Sequence, residues 1–255
     1  MFDISAVVEP FEYLLGVIHG DGYVRAIHNG TSYQLSIPVS IRDEGYKEVL
    51  KQIFVNTYDY APHERMLNNC FYLEVFKKEI VKPFVGYKIN GRWIIPKLKY
   101  PHEYLAGLWD TDGYIAFHEY RDVPRYVKKN NRFEKKTHVG RVIELRQKSN
   151  GNLSLITPIL RSLGFGPSLR TYTYKNKLGI FEMDVLKILT SDFPLFKKTI
   201  PIKHPRKIGE LEKTVQYKPR WKNQFGEGLI SMCKQMWQTK IPELFGNDCH
   251  CEIKP

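Results

Sequence analysis

The amino-acid sequence predicts an α+β protein of two pseudo-symmetric halves, each ordered helix, two strands, helix, two strands, helix. Three observations predict it. Residues 13–23, YLLGVIHGDGY, are echoed 91 positions later by residues 104–114, YLAGLWDTDGY. Each echo is followed by period-two strand patterns and then by a helical stripe, in the same order. At 255 residues the chain can bury a sizeable core shared by two such halves.

Each half opens on a helix, expected over 12–21 and 103–112, with Gly22 and Gly113 as the stop. Interior glycine costs about 1 kcal/mol against alanine, so Gly16 and Gly107 need a reason. Gly16 with Gly20, and Gly107 with Thr111, stand four residues apart and give each helix a stripe of small residues. Along such stripes two helix backbones can approach closely. Neither apolar run reaches the roughly 20 residues a membrane span needs. Packed in parallel, the helices would bring Asp21 and Asp112 together at their C-terminal ends. There the acids repel each other and face the negative end of the helix dipole, an arrangement that divalent cations would stabilise.

The strands follow. In 23–28, Val24 and Ala26 alternate with Tyr23 and Arg25; in 35–42, Leu35, Ile37, Val39 and Ile41 point inward, while Gln34, Ser36, Ser40 and Arg42 point outward. In the second half Ile115 and Phe117 alternate with Ala116 and His118, and Ile143 and Leu145 with Glu144 and Arg146. Period two marks sheets with one apolar face on helices and one polar face exposed. Helices are expected next. Their apolar stripes are Tyr46, Val49, Leu50, Ile53 and Phe54 in 46–58, and Ile156, Ile159, Leu160 and Leu163 in 153–163. Further strands are expected across 65–75 and 168–184. The expected organisation is a first half at 1–100, a second at 101–205 and a basic helical extension at 206–255. In that extension Trp221, Met232, Met236 and Trp237 suggest an added helix. Residues 119–148 hold ten Lys/Arg against four Asp/Glu and are about 13 residues longer than their counterpart around 28–33. They read as an extended hairpin or loop carrying phosphate contacts.

Composition agrees. Lys+Arg 39 against Asp+Glu 27 gives a net charge of +12, which suggests a polyanionic partner. Aromatic residues make up 13% of the chain, so it is not a disordered basic tail. Cys70, Cys233, Cys249 and Cys251 fit no CxxC or zinc-finger spacing, and Cys249-His250-Cys251 reads as a polar tail. The first residues, MFDISAVVEP, have neither a basic n-region nor an Arg-rich amphipathic pattern. The expected location is therefore the cytoplasm, or an organelle that encodes the chain itself.

LLGVIHGDG and LAGLWDTDG resemble the two motif copies of the single-chain LAGLIDADG homing endonucleases. The second copy matches at Leu105, Ala106, Gly107, Leu108, Asp110, Asp112 and Gly113; the first has His19 where the consensus has Asp, and Gly20 where it has Ala. The resemblance extends over about residues 10–210. It implies two αββαββα halves, with the motif helices paired at the interface and antiparallel sheets forming a DNA-binding saddle. It also implies a monomeric, Mg2+-dependent DNA endonuclease, acting on double-stranded DNA with no membrane partner. Such an enzyme makes a double-strand break in a long non-palindromic target, as in intron homing. The alternative on the same fold is an intron maturase, which binds its own intron RNA without cleavage.

By the same resemblance Asp21 and Asp112 would hold Mg2+ with the backbone carbonyls of Gly20 and Thr111. Mn2+ could replace it, and Ca2+ could bind without supporting cleavage. Gln147, in LRQKS, matches the polar residue that orients water, and Asp43 aligns as its first-half counterpart. Lys99 in KLKYP and Lys203 in PIKHP look like the family's active-site lysines. The side chains expected to meet DNA are Tyr23, Arg25, Gln34, Ser36, Ser40, Arg42, His118, Arg146, Lys148, Arg170 and Tyr172.

Overall fold

A computed structural model describes residues 10–27, 30–121, 125–127, 132–134, 137–176 and 179–217. The described residues up to Gln216 form one compact unit. Trp221, Met232, Met236, Trp237 and the Cys249-His250-Cys251 tail lie outside the described residues.

The first half runs through α1 (Pro10–His19), β1 (Tyr23–Ile27), β2 (Ser32–Ser40), α2 (Glu44–Tyr58), β3 (His63–Leu67), β4 (Cys70–Val75) and the short α3 (Lys78–Val81). A small hairpin, β5 (Lys88–Ile89) and β6 (Arg92–Trp93), follows it. The second half holds α4 (Pro101–Thr111), β7 (Gly113–Arg121), β8 (Arg125–Val127), β9 (Arg132–Glu134) and β10 (Thr137–Lys148). It continues through α5 (Asn152–Ser162), β11 (Ser168–Asn176), β12 (Gly179–Lys187), α6 (Phe193–Thr199) and α7 (Pro205–Gln216).

The two sheets repeat one topology. The first has the order β1-β2-β4-β3 and the second β7-β10-β12-β11, with every pairing antiparallel. β7 and β10 pair from Gly113–Leu145 out to Arg121–Thr137 as the two arms of an extended hairpin, and β8 pairs with β9. The side chains between 120 and 138 lie outside the described residues. The inward rows are buried as the period-two pattern requires: Leu35, Ile37 and Val39 in β2, Ile143 and Leu145 in β10. Ile41 departs from the pattern, because β2 ends at Ser40 and Ile41 sits exposed in a 3-10 turn.

The motif helices α1 and α4 pack in parallel at the centre, and their glycines set the distance. A Cβ on Gly16 would stand 2.1 Å from the Tyr104 carbonyl oxygen; one on Gly107 would stand 2.0 Å from the Tyr13 carbonyl oxygen. Tyr13 and Tyr104 are equivalent in the repeat, as are Gly16 and Gly107, so the two contacts are images of each other. Leu14, Leu15, Val17 and Ile18 are fully buried, as are Leu105, Ala106, Leu108 and Trp109. A helix that is apolar all round belongs inside. Neither Gly22 nor Gly113 takes the left-handed conformation of a helix stop. Their role is steric: a Cβ would meet the Ile18 Cα at 2.5 Å or the Trp109 carbonyl oxygen at 2.4 Å. Among the described residues no helix is long and apolar enough to cross a membrane.

Each helix also reaches across to the other with its tyrosine. Tyr13 donates to Asp110 Oδ2 at 2.7 Å, and Tyr104 pairs with His19 Nδ1 at 2.8 Å. His19 Nε2 lies 2.8 Å from the Tyr87 carbonyl, which can only accept, so Nε2 carries the proton and Nδ1 accepts from Tyr104. Burial lowers the His19 pKa to about 4 and keeps the ring neutral. His19 and Asp110 occupy equivalent places, and both accept from the partner helix's tyrosine. That is why histidine can stand where the motif has aspartate.

Candidate active site

The chain leaves α1 and α4 at Asp21 and Asp112. Parallel packing puts these two carboxylates side by side, close enough to interact directly. Asp112 is raised to about 6, first by desolvation and then by the neighbouring charge of Asp21; Lys88, Lys207 and Gln147 pull it partly back. Asp21 is exposed as a residue, yet the protein around its carboxyl desolvates it and raises its pKa as well.

Two lysines seat themselves at these helix ends. Lys88, on β5, donates to the carbonyls of Ile18, Gly20 and Gly22 at 2.9, 2.6 and 3.1 Å. Lys207, on α7, donates to those of Trp109, Asp110 and Thr111 at 2.8, 2.8 and 2.9 Å. The last carbonyls of a helix have no intrahelical partner, and a cation there also meets the negative end of the dipole. Desolvation lowers both lysines, Lys207 to about 8, while Asp21 and Asp112 oppose the shift. Two acids and two ammonium groups thus form one mixed-charge centre.

The donor set suits a hard divalent cation: two carboxylates, with the Gly20 and Thr111 carbonyls beside them. Those carbonyls accept from the lysines, but an sp2 oxygen keeps a second lone pair. Among the described residues no cluster of three or more His, Cys, Asp or Glu forms. A cation held here would complete its shell with water or phosphate oxygens, the habit of Mg2+. It would bind the ionised form of Asp112, so protons compete below pH 6. Calorimetric titration with Ca2+ should therefore show affinity falling about ten-fold per pH unit below that value. A flat profile between pH 5 and pH 7.5 would remove Asp112 from the ligand set.

Gln147 lies beside Asp112, its Nε2 donating to Asp112 Oδ2 at 3.3 Å. Its partner in the first half is not Asp43. Strand register pairs Tyr23 with Ser36 and the equivalent Tyr114 with Glu144, so Gln147 corresponds to the buried Val39. Asp43 binds Arg206 Nε at 2.8 Å and lies 3.4 Å from His204 Nε2; the Arg206 hydrogen bond and the nearby cations outweigh desolvation and lower its pKa.

Lys99 and Lys203 are likewise elsewhere. Lys203 Nζ reaches Glu103 Oε2 at 2.9 Å, two turns of α4 before Asp110, and lies 4.6 Å from the Tyr13 ring centroid. The backbone N–H groups of Lys99 and Tyr100 donate to Glu12, in the first turn of α1. The Lys203 ammonium thus serves the N-terminal end of α4, while it is the Lys99 main chain that serves the N-terminal end of α1. The reversal left no local signal, because a lysine has no sequence pattern that marks it as reaching back to a distant helix end.

On the outward sheet faces, Tyr23, Arg25, Arg146, Lys148, Arg170 and Tyr172 are exposed; Arg42 is exposed too, but in the 3-10 turn after β2 rather than on the sheet. A polar row crosses the first sheet: Arg25 donates to Gln34 at 2.9 Å, and Gln34 and Arg65 both donate to the buried Glu74 at 3.3 and 3.1 Å. In the second sheet the fully buried Glu144 accepts from Arg146 and lies 3.5 Å from Lys187. His118 Nε2 is 2.6 Å from the Tyr114 hydroxyl. Ser36 and Ser40 are less suited to an outside partner. Ser36 is buried beside the polar row, and the Ser40 hydroxyl accepts the Arg42 N–H at 3.2 Å. Glu74 and Glu144 escaped the sequence reading, because an acid on an outward strand position normally signals exposure rather than burial under arginines.

No family model and no curated protein matches the chain. Solved structures do. The homing endonuclease I-DmoI in complex with DNA and Ca is 17% identical at a TM-score of 0.50, covering 80% of this chain and 97% of that one. I-WcaI bound to its DNA recognition sequence is 17% identical at 0.50, covering 82% and 86%. The meganuclease I-SmaMI bound to uncleavable DNA is 15% identical at 0.50, covering 81% and 89%. At such identities the likeness is one of fold.

Proposed function

From the premise that this chain has the fold of the single-chain LAGLIDADG homing endonucleases, we propose that it is a monomeric, site-specific DNA endonuclease. It makes a divalent-metal-dependent double-strand break in a long non-palindromic target. The observation that carries the reading is the pairing of Asp21 and Asp112 at adjoining helix ends, with Lys88 and Lys207 pinned beneath them. The solved neighbours supply the class of partner, since their structures hold DNA and, in one, Ca.

Within this reading the exposed arginines and aromatics of the two sheets meet phosphates and base edges, and base contacts carry the specificity. Asp21 and Asp112 would hold the cation, which would supply positive charge at the scissile phosphate and lower the pKa of nearby water. Gln147 directs an amide donor into the second half-site. Lys88 and Lys207 hold fixed positive charge where the transition state gains negative charge. Retention of both acids favours hydrolysis over the alternative of a non-cleaving, RNA-binding maturase.

The direct test is selection of a cleavable site from a randomised plasmid library by the full chain in Mg2+, with EDTA as the blank. Recovery of one long asymmetric site supports the proposal; no cleavage of any member rejects it. On that site Lys88→Met and Lys207→Met should each slow cleavage by about a hundred-fold, the usual cost of losing one oriented donor or charge. Lys203→Ala should leave the rate within about three-fold, since its ammonium serves Glu103. The reverse ranking in strand-resolved kinetics would reinstate Lys203 at the centre.

A further inference from the structure

The side-chain amide of Asn152, the first residue of α5, is held from three directions. It is only 2% exposed. Its Oδ1 accepts the Trp93 N–H at 3.0 Å, and its Nδ2 donates to the Gly91 carbonyl at 2.8 Å and to Gln147 Oε1 at 3.0 Å. A main-chain N–H can only donate and a main-chain carbonyl can only accept, so the backbone decides which end of the Asn152 amide is oxygen. Gln147 must then turn its oxygen to Asn152, which leaves Nε2 for Asp112 Oδ2 at 3.3 Å.

The backbone that does this belongs to the β5–β6 hairpin, whose first strand carries Lys88. One hairpin therefore serves both half-sites, through an ammonium at α1 and through Gly91 and Trp93 at the β10–α5 corner. Among the described residues the first half has no such chain. Val39 holds the register position of Gln147, and its β2–α2 corner is tied by the Asp43–Arg206 ion pair instead.

We propose that Asn152 is a positioning residue for the second half-site: it fixes which end of the Gln147 amide faces Asp112, and so governs cleavage of one DNA strand but not the other. This rests on the endonuclease reading. Asn152→Asp is isosteric but replaces the Nδ2 donor with oxygen. Gln147 then turns over to donate to the new carboxylate and presents its own oxygen to Asp112, where no donor remains.

Two measurements test it. The first needs no DNA: the Gln147 side-chain amide is identified in 1H–15N spectra of the full chain by its loss in Gln147→Ala. Asn152→Asp should shift both amide signals, because the Gln147 NH2 changes its partner from Asp112 to the new carboxylate. Unchanged Gln147 signals in the folded variant overturn the proposal. Should Asn152→Asp not fold, Asn152→Ala carries the same expectation, because it too removes the donor to Gln147 Oε1. The second measurement is strand-resolved nicking of a supercoiled plasmid bearing a library-selected site. Asn152→Asp should slow one strand by about 10- to 100-fold, the usual cost of losing an outer-shell partner, and nicked circles should accumulate. In the Gln147→Ala background the same substitution should add nothing. Equal slowing of both strands, or additive losses, would show a merely structural role and overturn the proposal. If the wild-type chain cuts no library member, the endonuclease reading fails, whereas the Gln147 spectrum still decides the positioning.

Discussion

Asp21→Asn and Asp112→Asn should each abolish double-strand cleavage, by about a thousand-fold or more, while DNA affinity in EDTA stays near wild type. A neutral amide of the same shape cannot supply the negative charge that holds a cation. Several kcal/mol of transition-state stabilisation go with it, and each 1.36 kcal/mol is ten-fold in rate. Affinity rests mainly on phosphates neutralised by lysine and arginine, which neither substitution touches. The fold should not suffer. Each carboxylate is desolvated, and Asp112 is also raised by the charge of Asp21, so removing one relieves repulsion. Melting temperatures should hold or rise. Gel-shift titration beside cleavage kinetics decides it: loss of binding together with cleavage, in a folded variant, would contradict the assignment.

Gly16→Ala and Gly107→Ala should each destabilise the protein by about 3 kcal/mol, and the leucine variants by more. The added methyl would lie 2.1 or 2.0 Å from a carbonyl oxygen of the facing helix, and a backbone atom cannot step aside as a flexible side chain can. The helices must separate, opening a contact around which the whole core is built, and overpacking of this kind typically costs 1–3 kcal/mol or more. For a protein of this size that is a fall of about 10 °C in melting temperature. Gly209→Ala is the control. It lies inside α7 with nothing within 4 Å of the added methyl, so alanine should be neutral or stabilise slightly. Melts of the motif variants that match wild type would mean the paired helices are not the tight contact described. Because Gly16 and Gly107 meet equivalent tyrosine carbonyls, their two losses should also be similar in size.

What the sequence by itself determined is everything carried by local period and by repetition. The inward rows of β2 and β10, the buried stripes of α2 and α5, and the glycines of the motif helices follow from residue spacing, because burial acts on each element one face at a time. The approach of Asp21 and Asp112 was legible too. A repeat that packs along its small-residue stripe brings equivalent residues together.

Tertiary structure alone decided which other groups share the centre. Lys88 and Lys207 reach back 68 and 96 residues to carbonyls of Gly20 and Thr111, and a main-chain carbonyl looks the same at every position of a sequence. The local Lys-aromatic-Pro setting pointed to Lys99 and Lys203 instead, and the fold carries them to the opposite helix ends. Alignment along the chain matched Gln147 with Asp43, whereas hydrogen-bonded register matches it with Val39. Register is a property of two strands together, and a short shift at a strand end replaces a carboxylate with a buried methyl group. Glu74 and Glu144 belong to the same class. Their side chains sit on the polar face yet are buried, because arginine and lysine side chains from other strand positions close over them.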